Sequence, residues 1–264
     1  MDKRLILLQV FLLIFLDQKA QVTKTDKGII LKNFGCNTHL LKIEAISSQI
    51  IHLVASPTTD QQDGSLDGFD ASDLTDFSIK IDSERIVLKT DYLRVIIDPR
   101  DGRVTFRDNH NSLLLEENSR FYKPYHAFVE NAWSVKQEFK WASDEALYDM
   151  DLQNGGLFNI RGKNLDLIIP GSKMVDPLIV SSKGYGIVWY NNSLSRYNDD
   201  SEGSYLWSEV ADRVNYYFLY GPSSEEVVSN YRKLTGNFLL LPKWAMDKQP
   251  VQTSERQNRL SKAN

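Results

Sequence analysis

The sequence has 264 residues, 42% of them apolar and 25% charged, with a formal net charge of −4. This balance excludes global disorder, and without a basic cluster it leaves no electrostatic footprint for nucleic acid. The single cysteine, Cys36, excludes an intrachain disulfide and a cysteine-rich zinc or iron–sulfur site.

In chain order, Lys3 and Arg4 precede a run from Leu5 to Leu16 that is apolar except for Gln9. Such a run is too short for a bilayer, which needs about 20 residues, and fits the core of a signal peptide spanning residues 1–20. Ala20 is the expected cleavage point, although Gln18 is not the small residue usual two positions earlier. The expectation is a secreted or periplasmic protein. An uncleaved anchor or a buried helix is the alternative, and no lipobox cysteine is present.

Residues 40–46 and 49–55 alternate as strands on either side of Ser47-Ser48. The stretch 61–76, rich in Asp, Gly, Ser and Gln, reads as an exposed acidic loop. Asp60, Asp63, Asp67, Asp70, Asp73 and Asp76 offer hard oxygen ligands, but their spacing matches no EF-hand, so no metal is assigned. Strands resume at 77–81, 86–90 and 93–98. Asp98-Pro99-Arg100-Asp101-Gly102 is a turn, because proline presets a negative φ and Asp-Gly tolerates a positive one, so 104–107 returns as the hairpin partner. From Trp133 to Trp141, alternation puts Trp133, Val135, Gln137, Phe139 and Trp141 on one face. Further strands are expected at 165–169, 178–181, 186–190, 206–210 and 214–220. One helix follows, with Ser223 and Glu226 forming a capping box, Val227, Tyr231 and Leu234 on one stripe, and Gly236 as the stop. No internal repeat is visible. Many short strands and one late helix predict a mostly β chain: a β-sandwich with one C-terminal helix and a short polar tail.

No catalytic constellation stands out along this path. His39, His52, His110 and His126 show no metal-ligand spacing, and neither a nucleophile elbow nor a phosphate-binding glycine loop occurs. Glycoside hydrolysis needs two carboxylates flanking the scissile bond. Asp149 and Asp151 would share a face of an extended segment, roughly 6.5–7 Å apart, but nothing nearby marks a cleft and they read as solvated loop acids. Asp199 and Asp200, with Glu202 and Gly203, read as an acidic turn. Trp133, Trp141, Trp189, Trp207 and Trp244 could offer flat faces to sugar rings, though aromatic residues usually build the core of a sandwich.

Several blocks, however, resemble glycoside hydrolase family 31: Glu145-Ala146-Leu147-Tyr148, residues 155–163 from Gly155 to Lys163, and residues 180–191 from Val180 to Asn191. Ser208-Glu209-Val210-Ala211-Asp212, Val214 to Phe218, Tyr231 to Gly236 and Leu241-Pro242-Lys243-Trp244-Ala245 extend the resemblance, so that it covers roughly 40–245. It implies a galactose-mutarotase-like β-sandwich over 21–235, with 236–264 as a linker and the start of the barrel region. The family comprises α-glucosidases, α-xylosidases and relatives, retaining enzymes that use two aspartates of a (β/α)8 barrel. Such a barrel needs about 200 residues or more, and 20 follow Trp244, so the expectation is a non-catalytic region with no catalytic residue of its own.

Departures from the family pattern agree with that expectation. Two family glycines are replaced by Asp149 and Asp151, which disfavour a positive φ. Pro250 cannot donate within a central strand. In the family a loop of the sandwich reaches the substrate pocket, often with an Asp or Asn near the position of Gly171, which has no side chain to offer. Asn159, Arg161 and Lys163 are then the best matched polar residues, either as substrate-binding groups or as braces of the sandwich–barrel junction. The resemblance implies no cofactor and no metal. The implied partners are an α-glucoside or α-xyloside and the barrel, which a split enzyme would carry on a separate chain. A dedicated sugar-binding module is the third reading.

Overall fold

The computed structural model describes residues 20–32, 37–59, 75–126, 132–149, 159–168, 177–191 and 193–236. The expected signal core, the acidic loop up to residue 74, Cys36, Asp151, Gly171, Trp244 and the polar tail lie outside them.

Alternation of apolar and polar residues produces two antiparallel sheets. The first runs from β1 (Gln21–Lys24) through β2 (Gly28–Lys32), β3 (Leu40–Ser47), β4 (Ile50–Ser56), β17 (Val214–Tyr220), β14 (Tyr185–Trp189) and β13 (Leu178–Ser181) to β11 (Leu147–Asp149). The second runs from β12 (Asn164–Ile168) through β15 (Ser195–Asp200), β16 (Gly203–Ala211), β10 (Trp133–Lys140), β9 (Leu113–Pro124), β8 (Val104–Asp108), β7 (Leu93–Ile97) and β6 (Ile86–Lys89) to β5 (Ser78–Ile81). The predicted β-sandwich is therefore the observed architecture.

The expected hairpin closes as its residues require. The Gly102 N–H donates to the Asp98 carbonyl at 2.8 Å, the Gly102 φ is 71°, and Ile97 pairs with Val104. Ile51, Leu53 and Ala55 of β4 and Tyr216 and Phe218 of β17 face the second sheet. Phe106 of β8 stacks on Phe218 with ring centres 4.1 Å apart, which joins the layers. On β10 the buried positions are Val135, Gln137 and Phe139, while Trp133, next to a register shift, is only partly covered. The strand β17 lies at the middle of the first sheet, between β4 and β14, so an early and a late piece of chain share one ladder.

Outside the first sheet lies the one helix among the described residues, α1 (Ser224–Thr235). Ser223 caps it, its Oγ accepting from the Glu226 N–H at 3.3 Å, and Gly236 ends it at φ 86°. Val227 and Leu234 bury against Ile50, Val188, Tyr217 and Leu219 on the outward side of the sheet. Asn230 is buried on the same stripe, where its Nδ2 donates to the Tyr220 carbonyl at 2.8 Å, while Tyr231 lies at the margin.

Candidate functional site

Three polar residues singled out in the sequence, Asn159, Arg161 and Lys163, sit together on the loop that leads into β12. Asn159 Oδ1 accepts from the Arg161 N–H at 3.1 Å and the Leu147 N–H at 3.3 Å, so this side chain shapes the loop. Arg161 reaches further. Its Nε donates to Asp199 Oδ2 at 2.7 Å, and its Nη1 donates to the carbonyls of Ala142 at 2.9 Å and Glu145 at 3.0 Å. Lys163 is exposed, and its carbonyl accepts from the Asp199 N–H at 3.0 Å.

Asp199 does not lie in an acidic turn. It belongs to β15, and the reversal comes after it, where Asp200 pairs with Gly203. Its carboxylate also accepts from the Gly162 N–H at 2.7 Å and from the Ser204 hydroxyl. Gly162 takes φ 71°, a left-handed geometry suited to glycine. Burial alone would raise the Asp199 pKa, but the hydrogen bonds from Ser204, Gly162 and Arg161 hold it below its ordinary 3.8.

Glu145 continues the network toward the first sheet. It accepts from the Ala142 N–H at 2.8 Å, from Ser181 Oγ at 2.5 Å and from the Tyr185 hydroxyl. Burial and then the Glu145 charge push the Tyr185 phenol well above its usual range. Arg161 thus ties β15 of one sheet, through the loop of Glu145, to β13 and β14 of the other. Carboxylates held this way are already charge-paired or fully hydrogen-bonded, so they suit bracing better than proton transfer or nucleophilic attack.

A second buried carboxylate, Glu117, lies within the sandwich at 0% exposure. It accepts from the Val104 N–H at 2.7 Å, from the Tyr216 hydroxyl at 2.7 Å and from Arg120. Burial raises its pKa against the opposing pull of these donors. Arg120 also donates to Gln137 Oε1 at 2.8 Å and to the Gly102 carbonyl at 2.9 Å, which accounts for a glutamine on the buried face of β10. Beside Arg120 opens a cleft of about 290 Å³ lined by Asn37, Thr38, Asp101, Arg103, Asn118 and Phe121.

The remaining candidates separate. His52, on the outward side of β4, has Nε2 2.8 Å from Asn215 Oδ1 and stacks on Tyr217 at 4.2 Å, which makes it a satisfied buried histidine. Trp189 fills the core, with its Nε1–H on Ser208 Oγ at 2.7 Å. Asp149, expected as a solvated loop acid, instead closes β11, and Asp151 lies outside the described residues. No group of three His, Cys, Asp or Glu side chains suited to a metal occurs among the described residues. None of their helices is long and apolar enough to cross a membrane.

No family model matches the chain. It is similar to an α-xylosidase of Saccharolobus solfataricus, with 32% identity over 171 residues, 61% of this chain and 23% of that protein. An α-glucosidase of Bacillus thermoamyloliquefaciens is 24% identical over 81% of this chain and 28% of its own. Among solved structures, a family 31 α-xylosidase from Xanthomonas citri superposes with TM-score 0.72 at 19% identity, over 85% of this chain and 41% of that one. The chain thus spans about a quarter of the length of these two curated relatives.

Proposed function

The chain matches a part of the family 31 glycoside hydrolases, and from that premise we propose that it serves as the non-catalytic sandwich unit of an α-glycosidase, with cleavage performed by residues outside it. The observation that carries this reading is the share of the match: most of this chain aligns with under a third of either curated relative. The site adds support, because Glu117, Glu145 and Asp199 are each engaged by several donors within the protein.

The substrate class proposed for the complete enzyme is an α-xyloside, after the relative of highest identity named above; an α-glucoside is the competing substrate. The test is steady-state assay of the purified chain on aryl α-xylosides and aryl α-glucosides. No sustained release of the aryl alcohol is expected, and turnover proportional to protein concentration overturns the proposal.

Within such an enzyme we assign Asn159 and Arg161 to bracing and Lys163, which is exposed, to the substrate side. Residues 1–20 are proposed to direct export. A mature N-terminus at residue 21, read by Edman sequencing of secreted protein, is the expected outcome.

A further inference from the structure

The outward side of the second sheet carries a pattern that the sandwich itself does not require. Register places Phe121 of β9 opposite Lys136 of β10, Lys136 opposite Trp207 of β16, Trp207 opposite Arg196 of β15, and Arg196 opposite Asp166 of β12. In the neighbouring row Glu138, Tyr205, Asn198 and Asn164 follow one another across the same strands. Alternation aims both rows away from the core, whose residues on these strands include Val135, Phe139, Leu206, Tyr197 and Leu167.

These rings are held in place before any ligand arrives. The Trp207 Nε1–H donates to Ser134 Oγ at 2.7 Å. The Lys136 ammonium lies 4.2 Å from the Phe121 ring centre and 4.8 Å from that of Tyr205, and the Arg196 guanidinium lies 5.9 Å from Trp207. Phe121 remains 44% exposed and borders the 290 Å³ cleft. Each cation has its own carboxylate, Lys136 with Glu138 at 2.8 Å and Arg196 with Asp166 at 2.7 Å. The face therefore combines fixed aromatic rings, amide and carboxylate acceptors, and amide and cationic donors, and within these two rows the charges cancel.

We propose that this face binds a neutral oligosaccharide. A pyranose has one side of C–H bonds, which pack on aromatic rings, and a rim of hydroxyls, which both donate and accept. Five neighbouring strands span about 19 Å at the usual strand spacing, the length of a short oligosaccharide. The cancelled charges argue against a polyanion. Ion pairs between the rings argue against a protein partner, since interface cores are depleted in charged residues. The choice of sugar rests on the family match. The test below does not depend on hydrolysis, so its failure leaves the non-catalytic reading untouched.

The experiment is calorimetric titration of the intact chain with maltohexaose, isomaltotetraose and a xyloglucan heptasaccharide. A saturable heat is expected with at least one of them, unchanged between low and high salt because the charges within the two rows cancel. Trp207→Ala and Phe121→Ala should each weaken it by about tenfold with the near-UV circular dichroism of the core retained. Phe121 is the more exposed of the two, so its variant keeps the test decisive should Trp207→Ala unfold. Absence of saturable heat with all three sugars, binding that survives both substitutions, or affinity that collapses with salt overturns the proposal.

Discussion

Arg161 meets three acceptors with a planar, permanently charged group, and two of them are backbone carbonyls that fix a loop. Removing it takes the charged donor from Asp199, whose side chain is 9% exposed, and leaves the Gly162 and Ser204 donors. Because the Arg161 side chain is itself 24% exposed, the loss is discounted for solvent. Arg161→Ala is expected to lower unfolding free energy by about 2 kcal/mol in urea titrations. Arg161→Lys should recover only part of it, since an ammonium cannot reproduce the fork. Tyr216→Phe removes one of the donors to the buried Glu117 carboxylate and should cost about 1–2 kcal/mol by the same measurement.

At the level of elements, most strands legible in the sequence have apolar inward positions, although β2, whose inward Ile29 and Leu31 are apolar, is not among those expected. β17 reads as a strand because Val214, Tyr216 and Phe218 alternate with polar or outward residues, and the capping residues of α1 announce themselves. β15 escapes the same reading because its inward residues are Ser195, Tyr197 and Asp199, two of them polar, so the period of two is invisible to hydropathy. β9 hides similarly, with Glu117 at an inward position, and β1 is an edge strand with little burial. The site shares this limit. Arg161 stands in a recognisable block, but its partner Asp199 lies 38 positions away in a strand that looks like a turn. Two substitutions probe individual elements. Ser223→Ala should cost about 1 kcal/mol through the lost cap of α1. At Gly28 an added Cβ would stand 2.0 Å from the Ile43 carbonyl oxygen, so Gly28→Ala must part β2 from β3 and should cost about 2–3 kcal/mol.

For the whole molecule, acid is the informative perturbant. Burial alone would raise Glu44, but hydrogen bonding and charge from His52 and Lys42 bring it below its ordinary 4.5, as Asp199 is brought below 3.8. Groups whose folded pKa is depressed add stability that is complete above their unfolded values and disappears as pH falls through the folded ones. Glu117, raised by burial, works in the opposite sense. Stability set by Asp199 should therefore hold above about pH 4 and decline below it. Asp199→Asn should flatten that decline in chemical denaturation series run at successive pH values; an unchanged slope would remove Asp199 from the account.

The central position of β17 has a consequence for biosynthesis. His52 on β4 meets Asn215 on β17, 163 positions downstream. At about 5–20 residues per second on the ribosome, β4 waits on the order of ten seconds or more for its neighbour. During that interval Ile51 and Leu53 belong to an unfinished sheet with an open edge, a template for unwanted pairing between nascent chains. Any translational pause before Tyr220 lengthens that exposure, so slowing synthesis there should raise the aggregated fraction of newly made chain.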